Sequence, residues 1–142
     1  NENIEIKVIT GIGYNKFDTV ESYTNVTILR DVKNISDHML DADIIFTSAG
    51  RTIYEVASLG VPCIVLAQNS RELTHYFASS DNGFINMGLG SDQNGDEILD
   101  TFKNLAIDFE QRKKASELMK KTDFMNGRKT VSNLIKNEIE KI

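Results

Sequence analysis

One cysteine, one proline, no tryptophan and no long apolar run set the first limits on this 142-residue chain. Cys63 alone cannot close an intrachain disulfide, so a reducing compartment, the cytoplasm, is expected. It lies in the apolar run Val61–Leu66 with no base near it in sequence, which reads as an inert core thiol. No stretch approaches the roughly 18 apolar residues that cross a bilayer, so no membrane span is expected. No signal peptide precedes the first strand. Positive charge is also short, with 16 Lys and Arg against 21 Asp and Glu and a net charge of −5. That disfavours nucleic acid and anionic membranes as partners. A phosphate held by local N–H groups stays open. With two histidines and neither an HxxxH nor a CxxC pattern, no metal site is expected at His38 or His75.

What is present is ordinary for a folded domain, with 40% apolar and 26% charged residues. The length predicts one domain over 1–142, able to bury roughly two-thirds of its unfolded surface. The chain starts at Asn1 rather than Met and runs almost directly into a strand. That suggests a piece of a longer protein whose missing part is N-terminal.

Short apolar runs alternate with helical patterns, as in βα units. Strands are predicted at Ile4–Val8, Val26–Leu29, Ile44–Phe46, Cys63–Leu66 and Phe84–Met87. Helices are predicted at Phe17–Tyr23, Ile35–Asp41, Thr52–Leu59, Arg71–Ser80, Gly95–Asp108, Glu110–Lys121 and Arg128–Lys141. The alternation predicts an α/β fold, a Rossmann-like doubly wound parallel sheet of about five to six strands with helices on both faces. Ligands of such sheets bind at the carboxyl ends of the strands. Those ends are Thr10–Gly13, Arg30–Asn34, Thr47–Thr52, Ala67–Ser70 and Met87–Gly90. The mixed charges around Arg112-Lys113-Lys114 and Lys120-Lys121 read as a solvated helix face.

The stretch Thr47–Asn69, TSAGRTIYEVASLGVPCIVLAQN, carries most of the functional signal. A small-residue turn that opens a helix presents backbone N–H groups to a phosphate, assisted by the helix dipole. Ser48, Ala49, Gly50, Arg51 and Thr52 form such a turn. The plain alternative is a strand-to-helix turn in which Gly50 supplies unusual dihedrals. The turn is no Walker A loop, since GxxxxGK[ST] is absent. Helical phase puts Glu55 away from the Ile53, Val56 and Ala57 stripe, where it can accept hydrogen bonds from a ribose diol. Its alternatives are an i,i+4 pair with Arg51 or a capping box with Thr52. Gly11 and Gly13 follow the first strand as a phosphate-facing loop or a tight turn. The third glycine of a dinucleotide fingerprint is missing, and no cofactor is expected. Gln68 and Asn69 offer amide groups suited to sugar hydroxyls.

These residues together resemble the C-terminal, nucleotide-binding half of GT-B enzymes in glycosyltransferase family 28. The likeness is closer to the UDP-sugar hydrolase of pseudaminic acid synthesis. It runs through Val32–Ile45, Ser48–Glu55 and Leu59–Pro62, and returns at Met125-Asn126-Gly127-Arg128. It departs at Arg51, where the family often has Gly or Ser, and at Ser70. The resemblance implies that the backbone near Val32 meets the base. It implies that Ser48, Ala49, Gly50 and Thr52 hold the diphosphate, that Glu55 holds the ribose, and that Gln68 and Asn69 face the sugar. The implied partner is a nucleotide sugar, a UDP-sugar first, together with an N-terminal domain that supplies the catalytic base. The implied activity is nucleotide-sugar hydrolysis in a pseudaminic or sialic acid pathway, or transfer from a UDP-N-acetylhexosamine. A reading of another class also stands: a Rossmann-like binding module without chemistry of its own, fused to a cytidylyltransferase.

Overall fold

The computed structural model describes residues 4–14 and 23–141. The fold is α/β with parallel strands. The chain divides into two compact units, Asn1–His38 and Met39–Ile142.

In the first unit, β1 (Ile6–Thr10) pairs in parallel with β2 (Val26–Arg30), Ile6 opposite Val26 and Thr10 opposite Arg30. Their carboxyl ends are tied by Asp31 N–H donating to the Thr10 carbonyl at 3.0 Å. Asp31 takes φ of 49° to do so, a left-handed geometry that Asp tolerates better than most residues. The helix predicted at Phe17–Tyr23 falls outside the described residues except for Tyr23. Helix α1 (Ile35–Leu40) follows Asn34, whose side-chain amide donates to Asp37 at 2.7 Å and accepts from the Ser36 hydroxyl at 2.6 Å.

In the second unit, β3 (Ile45–Thr47), β4 (Cys63–Ala67) and β5 (Phe84–Leu89) form a parallel sheet in the order β3-β4-β5. The central β4 buries Cys63, Ile64, Val65 and Ala67, the apolar run of a strand covered on both faces. Helix α2 (Thr52–Leu59) connects β3 to β4 and sends Ile53, Val56 and Ala57 into the core. It stops at Gly60, whose left-handed φ of 72° lets its N–H bond the Val56 and Ala57 carbonyls, and Pro62 prevents continuation. The register of β4 on β5 slips by one residue, since Val65 faces Asn86 while Ala67 faces Leu89. The extra residue is a bulge with Gly88 at φ 79°, closed by Gly88 N–H on Asn86 Oδ1 at 2.9 Å.

Two expectations are corrected. The five described strands make sheets of two and three rather than one sheet of five to six. Strand β3 is only three residues long and offers few ladder groups to a neighbour. The helix expected at Arg71–Ser80 does not form either. Single 3₁₀ turns at Glu72–Thr74 and Ser80–Asn82 stand in its place. Local side chains capture the backbone groups a helix would use. Asn69 Oδ1 accepts from Glu72 N, Thr74 Oγ1 donates to the Arg71 carbonyl, and Asn82 Nδ2 donates to the Phe77 carbonyl.

After β5 the chain is helical: α3 (Gly95–Ile107), α4 (Phe109–Met119) and α5 (Gly127–Ile139). Asn94 caps α3 through Asp96 N–H, and Asp108 caps α4 through Gln111 N–H. Met119 at the end of α4 joins Ile53, Val56, Val65 and Phe84 in the core. Among the described residues, no helix is long and apolar enough to cross a membrane.

Cys63 is 1% exposed, and burial pushes its thiol up to about 12. The native protein is therefore expected to resist thiol reagents at pH 8 and to label only after unfolding. The linkage has a defined sign. The folded value lies above the unfolded one, so the contribution is intact below the ordinary thiol range of roughly 8.5. It is lost as pH rises from there toward the folded value, because the unfolded state sheds its proton first. Denaturant midpoints measured from pH 7 to 11 in the protein and in Cys63→Ala check this slope.

Candidate functional site: a glycine turn at the mouth of a helix

The turn Ser48–Arg51 leaves the carboxyl end of β3, and the loop 68–75 leaves the carboxyl end of its neighbour β4. Both features therefore meet where α/β sheets bind ligands. Ala49 is buried in the core and anchors the turn.

Gly50 is not among the residues with positive φ, which are Asp31, Gly60, Gly83 and Gly88. The alternative in which it supplies unusual dihedrals therefore fails. The point a β-carbon would occupy on it lies 3.4 Å from Ser48 Oγ and 3.6 Å from Glu72 Oε1. Its bare Cα opens the backbone to close approach.

Helix α2 begins without a side-chain cap, with Arg51 in helical conformation at the N-cap position. Ile53 N–H donates to the Gly50 carbonyl at 3.4 Å and Tyr54 N–H to Arg51 at 3.1 Å. The N–H groups of Gly50, Arg51 and Thr52 make no hydrogen bond among the described residues. These are the orphan donors of a helix start, gathered at its positive end.

Glu55 is exposed, one turn into α2, while Ile53, Val56 and Ala57 are buried. The capping box is out of register. Thr52 is the first helical residue and not the cap, so Glu55 stands one place too late to reach back. Glu55 makes no ion pair with Arg51 either; the ion pairs among the described residues include Lys7–Glu5, Lys103–Asp100 and Lys141–Glu138. Its carboxylate is thus exposed, with no partner among the described residues.

The loop after β4 is hydrogen-bonded to this turn at one point and approaches it at a second. His75 Nδ1 lies 2.5 Å from the Ala49 carbonyl. A carbonyl only accepts, so Nδ1 carries the proton there. No peptide bond among the described residues is cis. The Gly50 N–H therefore points opposite to the Ala49 carbonyl, away from the ring. Glu72 is the second point. Its Oε2 accepts from Gln68 N–H at 2.9 Å, and its Oε1 faces Gly50. Gln68 and Asn69 are exposed. Asn69 Oδ1 is already engaged by Glu72 N–H at 3.2 Å, which leaves the Asn69 amide N–H₂ free.

Beneath the loop, Phe77 packs on Tyr54, Phe84 and Phe124 with ring centroids 5.0, 5.8 and 5.3 Å away. This cluster fixes the loop against α2. No motif in the sequence marks Glu72 or His75. The usable signal was their place in the loop after β4, whose carboxyl end adjoins that of β3.

In the first unit, Gly11 and Gly13 lie in an exposed turn closed by Tyr14 N–H on the Gly11 carbonyl at 3.1 Å. A β-carbon on either would meet open space, so neither sterics nor φ requires glycine there. Val32 follows β2 and is half-buried.

An open concavity of about 350 Å³ lies at the amino ends of β3 and β4, lined by Asp43, Pro62, Phe109 and Arg112 among others. It is at the opposite end of the strands from the glycine turn and holds no unpartnered buried polar side chain. Among the described residues, no three His, Cys, Asp or Glu side chains assemble for a metal ion.

No family model matches the chain, and no solved structure matches it. The chain is 36% identical over 63 residues to the uncharacterized protein MJ1062 of Methanocaldococcus jannaschii. That stretch is 44% of this chain and 12% of the relative.

Proposed function

We propose that this chain is the nucleotide-sugar-binding half of a nucleotide-sugar hydrolase or a related glycosyltransferase, the C-terminal Rossmann-like half of a GT-B enzyme. One observation carries the reading: three unpartnered N–H groups at Gly50, Arg51 and Thr52 stand on an uncapped helix start, with the unpaired Glu55 carboxylate one turn on. The donors suit a diphosphate, and the carboxylate suits the cis-diol of a ribose. Arg51 adds an exposed positive charge.

In this reading the turn binds the ground-state diphosphate and stabilises the negative charge that builds on it as the sugar departs. Backbone N–H groups and the helix dipole supply that stabilisation without reorganising. His75 keeps the turn in shape by holding the Ala49 carbonyl back. The water or acceptor hydroxyl that attacks the sugar, and the base that activates it, come from elsewhere in the whole enzyme.

Glu55→Ala is expected to weaken UDP binding about tenfold, since a hydrogen bond to a charged group at an exposed position contributes roughly 1.5 kcal/mol, the low end of the range for such bonds. Isothermal titration with UDP and with 2′-deoxy-UDP checks it. The variant should lose the preference for the ribose form. Equal UDP affinity in variant and parent removes the ribose role from Glu55.

A further inference from the structure

The Glu72 carboxylate is an odd neighbour for an anion site. Oε2 is fixed by the Gln68 N–H at 2.9 Å, while Oε1 has no partner among the described residues and faces Gly50, 3.6 Å from where a β-carbon would stand. Glu72 N–H is itself held by Asn69 through both its carbonyl at 3.1 Å and its Oδ1 at 3.2 Å. The 3₁₀ turn at Glu72–Thr74 and the His75 bond to Ala49 fix the loop on both sides of it. The carboxylate is thus a placed, half-buried negative charge at the rim of the turn. It does not cap the turn, because it accepts from none of the N–H groups of Gly50, Arg51 and Thr52.

Resting on the nucleotide-sugar reading above, we infer that Glu72 is a specificity-determining residue that selects neutral sugars and rejects acidic ones. A diphosphate on the Gly50–Thr52 donors brings the attached sugar up to the loop 68–75. There Oε1 offers an acceptor to a hydroxyl or an amide N–H. A carboxylate on the sugar would meet a like charge in a partly desolvated setting, where repulsion is strong. Gln68 and Asn69 lack that selectivity, because amide side chains donate as well as accept. Exclusion by repulsion as well as attraction to the right ligand is a common basis of specificity.

The test is the Glu72→Gln variant, which keeps an acceptor for the Gln68 N–H and loses only the charge. Affinities are measured for UDP, UDP-glucose, UDP-glucuronic acid, UDP-N-acetylglucosamine and UDP-N-acetylmuramic acid. The two pairs place the acid at different positions of the ring. In the parent, at least one acidic sugar should bind tenfold or more weakly than its neutral counterpart. In Glu72→Gln that ratio should fall to within threefold, with UDP bound at least as tightly as by the parent, because a negative charge beside the diphosphate is removed, and with an unchanged melting temperature. Ratios that are the same in parent and variant, with UDP still bound, overturn the role of Glu72 and leave the nucleotide reading standing. Failure of the parent to bind UDP or any of the four sugars overturns both.

Discussion

Gly50→Asp should lower the affinity for UDP about 100-fold or more while the fold stays intact. The structure separates the two effects. A β-carbon on Gly50 sits at ordinary contact distance from Ser48 Oγ and Glu72 Oε1, and the backbone there needs no left-handed φ. The substitution is therefore tolerated sterically. Its charge is not tolerated by a bound diphosphate. Two like charges 4 Å apart repel by up to about 4 kcal/mol at the effective dielectric of a protein surface. Lost N–H contacts add to that. A hundredfold change needs only about 2.8 kcal/mol. Gly50→Ala, with bulk and no charge, should cost less than Gly50→Asp. Calorimetric titration gives the affinities, and circular dichroism melting confirms that both variants fold. Undiminished UDP binding by Gly50→Asp removes the turn from the site.

The largest stability loss is expected at Gly83→Ala. Gly83 lies between the 3₁₀ turn Ser80–Asn82 and β5 with φ of 87°. A β-carbon there would stand 2.3 Å from the Ala115 carbonyl oxygen of α4 and 3.1 Å from Met119 Cγ. The first is a backbone atom in the middle of a helix, so relief requires α4 to move off the sheet. Left-handed backbone costs a non-glycine residue about 1–2 kcal/mol, and forced repacking adds about 1–3 kcal/mol. A loss of about 3 kcal/mol follows, or roughly 10 °C in melting temperature for a chain of this size. Chemical denaturation measures it. A variant as stable as the parent would mean that α4 does not lie against Gly83.

Much of this was legible in the sequence because local rules and tertiary packing agree. The Ile53, Val56, Ala57 stripe and the Gly60–Pro62 stop bounded α2 at Thr52–Leu59, as found. The β-branched runs at Val26, Ile45 and Cys63 became strands within a residue or two of expectation. The stretch after β4 was not legible as it folds. Arg71–Ser80 has helix-compatible residues, but Asn69, Thr74 and Asn82 bind the backbone locally and Phe77 is drawn into the aromatic cluster. The aromatic part of that override is tertiary and leaves no period in the sequence. It also explains why Glu72 and His75 gave no signal. Their importance comes from facing Gly50 and Ala49, more than twenty positions earlier in the chain. The partition of strands between two sheets was equally invisible, because each strand looks alike in sequence whichever neighbour it takes.

The central claim is that Gly50, Arg51 and Thr52 present their backbone N–H groups to a diphosphate. Amide ¹H–¹⁵N shifts followed during titration with UDP, CMP and a UDP-N-acetylhexosamine test it most directly. The expected result is a saturable shift of these three amides with UDP and the UDP-sugar, with smaller shifts at Gln68 and Asn69 that need the sugar. Amides of the turn that stay in place at millimolar concentrations of all three compounds would contradict it.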